Sequence, residues 1–185
     1  MSAQAPRPVV LIGPMAAGKS SVGRMLAKVL AREFIDTDKV IVRHNGPIPE
    51  IFAAQGERGF RELEASVIAE ALRPGTVVSL GGGAVLHEGT RARIADATVV
   101  LITVSESAVE RRIDNNKRPL LAEEGIVAWR RITAEREPLY RQLADAVADT
   151  SHRPMRRVAE EIAAWVLEHE HPGSGKTKER GVISV

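Results

Sequence analysis

The chain has 185 residues, 44% of them hydrophobic and 27% charged, with no cysteine; this suits one globular domain. It excludes disulfides, thiolate zinc sites and cysteine nucleophiles, and fits a reducing cytosol. The pI is 9.2, yet residues 172–185 alone carry the whole chain's formal +2, so residues 1–171 balance, and with 3% aromatics nucleic acid is disfavoured as a partner.

No apolar run approaches the ~20 residues of a membrane span, and the leading MSAQAPRP lacks an apolar signal core. PVVLIG (8–13) then reads as a buried strand. Residues 18–30 follow with helical spacing, Val22, Met25, Leu26, Val29 and Leu30 sharing one side. EFIDTD (33–38) is a second strand ending in acids, and PIPEIFAAQG (47–56) a short helix stopped by glycine. A longer helix spans 57–72, a third strand 75–80 and a fourth 97–104. SESAVERRI (105–113) is a short helix with Ser105 as N-cap. DNNKRPLLAEEG (114–125) has turn chemistry and is expected to be a mobile loop. Residues 126–140 are helical until Pro138, 144–150 form a fifth strand, and 153–170 a helix opening near a proline. The polar stretch 172–185 reads as a disordered tail. Strands alternating with helices imply a parallel sheet with helices on both faces. Ligands in such folds bind beyond the carboxyl ends of the strands.

The loop after the first strand, GPMAAGKSS, fits G-x-x-x-x-G-K-[ST] through Gly13, Gly18, Lys19 and Ser20. Its glycines let backbone N–H groups turn inward onto phosphate oxygens, and the following helix adds its positive end. Lys19 reaches the β- and γ-phosphates, and the Ser20 hydroxyl suits Mg²⁺. A chance match arises in about 1% of chains this long, and the strand before and helix after reduce that further. Asp36 and Asp38 flank Thr37 where the second strand ends, and alternation puts both carboxylates on one side. They suit either a turn or helix cap, or the acids a phosphoryl-transfer site needs: Asp36 near the metal, Asp38 toward the substrate. On a helix Glu57, Arg61 and Glu64 share a face, the pattern of a solvated ion-pair ladder. The triplet Gly81–Gly83 at the end of strand three suits close approach of a ligand, or a tight turn.

Taken together, GPMAAGKSSVG, FIDTD, GERGFRELE, SLGGGAV, NNKRPLL and EREPLY have the order and spacing of shikimate kinase, which the chain resembles over residues 8–165. The resemblance implies an α/β, three-layer P-loop NTPase fold. Its five-stranded parallel sheet is flanked by helices and carries a substrate-binding helical region and a lid at about 114–125, within one domain of residues 1–171. It implies transfer of the γ-phosphate of ATP to the 3-hydroxyl of shikimate, on the route to chorismate and aromatic amino acids. The implied cofactor is Mg²⁺, held at Ser20 and Asp36. Gly13, Ala16, Ala17, Gly18, Lys19, Ser20 and Ser21 would bind ATP. Arg112 would lie on the adenine side, with Arg111 as its neighbour, and Arg153 and Pro154 would form the adenine-contact loop. Arg118 would be the lid arginine on the transferring phosphate, and Asp36 the acid near the metal. Asp38 would hold shikimate hydroxyls, Arg61 and Arg136 its carboxylate, with Gly82 and Gly83 lending backbone. Ala16 stands where the family usually has glycine, a change that alanine accommodates with a negative φ. A related gluconate or nucleoside monophosphate kinase is the alternative enzyme, and a nucleotide-sensing module without transfer the alternative class. The expected protein is a cytoplasmic monomer acting on small molecules, with neither nucleic acid nor membrane as partner.

Overall fold

The computed structural model describes residues 5–114, 125–170 and 181–183. Strand β1 (Val9–Ile12) is buried along its whole length. Helix α1 (Lys19–Leu30) follows, then β2 (Glu33–Asp36), α2 (Thr37–Asn45) and α3 (Ile48–Ala71). Next come β3 (Thr76–Ser79), a short 3₁₀ turn (Ala84–Leu86) and α4 (Glu88–Ile94). The chain continues through β4 (Thr98–Thr103), α5 (Glu106–Asp114), α6 (Gly125–Leu143), β5 (Ala146–Asp149), α7 (Met155–His169) and β6 (Gly181–Ile183). The strands lie in the order β2-β3-β1-β4-β5-β6, every pair parallel.

Period-two alternation divides the central strands between two cores. Val9 and Leu11 of β1, Val77 of β3, and Val100 and Ile102 of β4 face the α1/α7 layer, with Leu26, Val158 and Ile162. Val10, Ile12, Val78, Val99 and Leu101 face the other way, against Ile68, Ile94 and Tyr140. Both faces are covered, which is why these strands read as continuous apolar runs. A third cluster, Ile41, Ile51 and Phe60, packs α2 on α3 and forms the small helical region expected for substrate binding.

Several elements depart from the sequence expectation. The second strand stops at Asp36, whose carboxylate caps α2 by accepting from Lys39 N at 3.3 Å. Asp38 therefore sits in the first turn of a helix, and strand alternation does not relate it to Asp36. The two helices expected over 47–72 are present as α3, broken at Gly56, whose φ is 70°. Helix α6 runs through Pro138 instead of ending there. Helix α4 was not expected. The expected five-stranded sheet is extended by β6, inside the stretch expected to be a disordered tail and paired with β5. The expected lid, apart from its two end residues, lies outside the described residues.

Candidate functional site

Strand β1 is flanked by β3 on one side and β4 on the other, so the chain leaves the sheet in opposite directions around its carboxyl end. That crevice is where a doubly wound sheet takes its ligand. The loop from Gly13 to Gly18 fills its mouth and runs into α1, with Gly18 as N-cap at φ 89°. Gly13 has φ 139°, and a Cβ there would fall on the carbonyl oxygen of Ile102. A Cβ on Gly18 would lie 2.6 Å from Met155 Cε. Gly13 is thus required by space as well as by dihedral, and Gly18 by its dihedral, since the end of the Met155 side chain can move aside.

Ala16 corrects the expectation of a negative φ: its φ is 63°, left-handed. That conformation costs an L-residue about 1–2 kcal/mol, so the loop shape is imposed on this alanine. Lys19 Nζ donates to the carbonyls of Gly13 at 2.9 Å and Pro14 at 2.8 Å, which holds it across the loop. Ser20 lies in the first turn of α1, and Ser21 beside it is exposed.

Facing this loop is a dense polar cluster from α2, α3 and the glycine triplet. Arg61 Nη1 donates to Glu64 Oε2 at 2.6 Å, one helical turn away. The Glu64 side chain is 2% exposed and that of Arg61 13%. A Cβ on Gly81 would stand 2.6 Å from Glu64 Oε1 and 2.7 Å from Asp38 Oδ1. One on Gly83 would run into the Arg61 guanidinium, and one on Gly82 would lie 3.5 Å from Met15 Cγ and 3.6 Å from Gly13 O. The triplet forms a tight turn, Ala84 N–H donating to Gly81 O at 3.1 Å, and lies as a plate between the two halves of the site. Burial pushes the Asp38 carboxyl above its usual range; Lys19 opposes this, Asp36 adds to it, and Arg61 opposes it. Burial raises Glu64 as well, against the pull of Arg61.

From α6 the Tyr140 hydroxyl donates to the carbonyl of Gly82. The same hydroxyl is hydrogen-bonded by Arg136, one turn earlier. Burial pushes the Tyr140 phenol up, opposed by Arg136. Arg136 is thereby positioned on the glycine plate, and its charge reaches Glu64. Arg112 donates to the carbonyl of Ala16 at 2.7 Å and to that of Thr150 at 2.6 Å. Its neighbour Arg111 is exposed. Arg153, next to Pro154 at the start of α7, pairs with Glu161. Arg118 lies outside the described residues.

The structure thus gathers Lys19, Asp38, Arg61, Gly81, Gly82, Gly83 and Arg136 from sequence positions more than a hundred residues apart. Glu64 and Tyr140 were missed as site residues. Glu64 carried a signal in its i,i+3 spacing from Arg61, read as a surface ladder, but it is 1% exposed. Tyr140 is the chain's one tyrosine, and it stands in the EREPLY motif itself.

A family model described as shikimate kinase matches residues 15–167. A shikimate kinase of Francisella tularensis subsp. novicida is 40% identical over 166 residues, covering 86% of this chain and 94% of that one. Among solved structures, a shikimate kinase from Acinetobacter baumannii in complex with shikimate is similar with a TM-score of 0.81 at 34% identity, over 90% of this chain and 96% of that one. A shikimate kinase from Bacteroides thetaiotaomicron is similar with a TM-score of 0.77 at 26% identity, over 86% and 98%.

Proposed function

The chain belongs to the shikimate kinase family and catalyses ATP-dependent phosphorylation of shikimate, and we propose the following division of labour among its residues. The loop of Gly13, Ala16, Ala17, Gly18, Lys19, Ser20 and Ser21 cradles the triphosphate. Lys19 exchanges the carbonyls of Gly13 and Pro14 for the β- and γ-phosphates. Arg61 and Arg136 grip the shikimate carboxylate, each held in direction by a neighbour: Arg61 by Glu64, Arg136 by Tyr140. Two guanidiniums suit a carboxylate because each presents a planar fork of donors. Asp38 accepts from the shikimate hydroxyls, beside the backbone of Gly82 and Gly83.

In the transfer step, the 3-hydroxyl oxygen forms a bond to the γ-phosphorus as the bond to the β,γ-bridging oxygen breaks. The hydroxyl proton leaves to Asp36, and the products are shikimate 3-phosphate and ADP. The step is mostly positioning and charge stabilisation; Lys19 and Arg118 supply cationic groups around the moving phosphoryl. Arg112 and Arg153 stand on the adenine side.

Among the described residues no group of three or more acids and histidines gathers as a metal cage. This suits Mg²⁺, which is commonly bound through one or two protein oxygens plus substrate phosphates. Ser20 and Asp36 supply such oxygens and would hold it there, where it would neutralise phosphate charge. The chain is proposed to act as a monomer, with the assigned residues inside 1–171 and the sheet extended by β6. Small-molecule substrates and the absence of cysteine support work in the cytosol. No described helix is long and apolar enough to cross a membrane.

The observation that carries this reading is the placement of Asp38, which meets Glu64, the partner of Arg61, over Gly81 and whose charge feels both Lys19 and Arg61. That puts an acid able to hold an alcohol between a phosphate lysine and a carboxylate clamp. A coupled ADP-release assay with ATP and Mg²⁺ tests it against shikimate, gluconate and a nucleoside monophosphate panel. Shikimate alone should stimulate release; stimulation by gluconate or a nucleotide and not by shikimate would overturn the reading.

A further inference from the structure

We propose that Trp129 and Thr150 are positioning residues of the nucleotide site, holding the carbonyls of Met15 and Ala17 outward, on either side of the one that Arg112 holds, so that N–H groups of the phosphate loop face the ligand. This rests on the reading of residues 13–21 as the nucleotide loop. The carbonyls of Gly13 and Pro14 are taken by Lys19. The next three accept from side chains of three separate elements. Met15 O accepts from Trp129 Nε1 at 2.9 Å, Ala16 O from Arg112 Nη1 at 2.7 Å, and Ala17 O from Thr150 Oγ1 at 2.7 Å. In a planar trans peptide the C=O of one residue and the N–H of the next point in opposite directions. Tethering these carbonyls outward therefore turns the N–H groups of Ala16 and Gly18 to the inner side, the arrangement that binds anions, while the Ala17 N–H makes a long 3.4 Å turn contact with Pro14 O.

The ties also explain how Ala16 keeps a φ of 63°. Strain of that kind persists where the surroundings over-determine it, and here the peptide on each side of Ala16 is fixed by its own donor. Trp129 is 5% exposed and Thr150 1%. Neither belongs to the phosphate-binding motif, and they lie 114 and 133 residues from the carbonyls they hold. Trp129 also shares α6 with Arg136 and Tyr140, so one helix braces both halves of the site.

The test is equilibrium binding of ADP to the full chain by isothermal titration calorimetry, with shikimate binding measured separately. Trp129→Phe keeps an aromatic six-membered ring and removes the pyrrole half with its N–H; Thr150→Val keeps the shape and removes the hydroxyl; Thr150→Ser restores it. Loss of one hydrogen bond from the competent loop should weaken ADP about fivefold in each of the first two. Shikimate affinity should stay within about twofold, and Thr150→Ser should bind ADP within about twofold of the parent. Unchanged ADP affinity in both Trp129→Phe and Thr150→Val, parallel loss of both ligands, or a parent chain that binds no ADP would each overturn the proposal. Should Thr150→Val fail to fold, Trp129→Phe decides by the same criteria. The shikimate reading is judged separately, by ADP release with shikimate, so the two can fail independently.

Discussion

Replacing Glu64 with alanine isolates the element that aims the carboxylate clamp. The substitution leaves the Arg61 guanidinium, whose side chain is 13% exposed, without its 2.6 Å partner. What remains is Glu57 at 3.9 Å, itself 66% exposed, the charge of Asp38, and the rings of Phe60 and Phe52 at 5.2 and 6.0 Å. Its Nε already has no hydrogen-bond partner. Removing one member of a fully buried pair costs about 3–5 kcal/mol. Residual exposure and the distant Glu57 bring this to about 2–3 kcal/mol, because solvent and a weak ion pair recover part of the loss. In a chain of this size that is a fall in Tm of about 4–12 °C. Freed from Glu64, Arg61 no longer points at one place, and the shikimate KM should rise about tenfold, equivalent to about 1.4 kcal/mol. The ATP KM should stay within about twofold, since the nucleotide loop is not touched. Glu64→Gln keeps an oxygen for Arg61 and should show about half the thermal effect. Calorimetry and steady-state kinetics with each substrate varied are the assays. A Tm within about 1 °C of the parent, or a rise in ATP KM with shikimate KM unchanged, would refute the positioning of Arg61 by Glu64.

Lys19→Met should lower turnover by about two orders of magnitude or more with the fold intact by circular dichroism; near-normal turnover would remove Lys19 from the transfer step. Gly81→Ala places a methyl within 2.7 Å of both Asp38 and Glu64 oxygens, so shikimate binding should weaken at least about tenfold, as read by calorimetric titration. Arg136→Ala should raise the shikimate KM with little change in ATP KM, because it removes binding made in the ground state. Asp38 accepts most strongly from hydroxyls when ionised, and its carboxyl is raised by burial. The acid limb of kcat/KM for shikimate should therefore centre above the ordinary aspartate value of about 3.9. Asp38 and Glu64 are both raised in the folded state. Their contribution to stability is thus full below the unfolded values and is lost as pH rises through the folded ones. Denaturant melts across mildly acidic pH should show Glu64→Gln flattening that fall.

Sequence alone determined the layered fold and the phosphate half of the site. Buried parallel strands must be apolar on both faces, and a phosphate loop must place glycine, lysine and hydroxyl at fixed local spacings. Both constraints act over fewer than about ten residues and so leave a legible pattern. The local acid pair pointed Asp38 toward the substrate, and the resemblance to shikimate kinase added Arg61 and Arg136 beside it. The chain's local pattern did not say that Glu64, spaced like a surface ladder, is buried beneath the clamp. Nor did it say that Thr37 starts a helix which separates Asp38 from the strand rule, or that Ala16 is held left-handed. The ties from Trp129, Arg112 and Thr150 to consecutive carbonyls span 96 to 133 residues. Such contacts leave no periodicity, because a backbone carbonyl is the same acceptor in every residue, and only the packing of α5, α6 and β5 around the loop decides which donor reaches it.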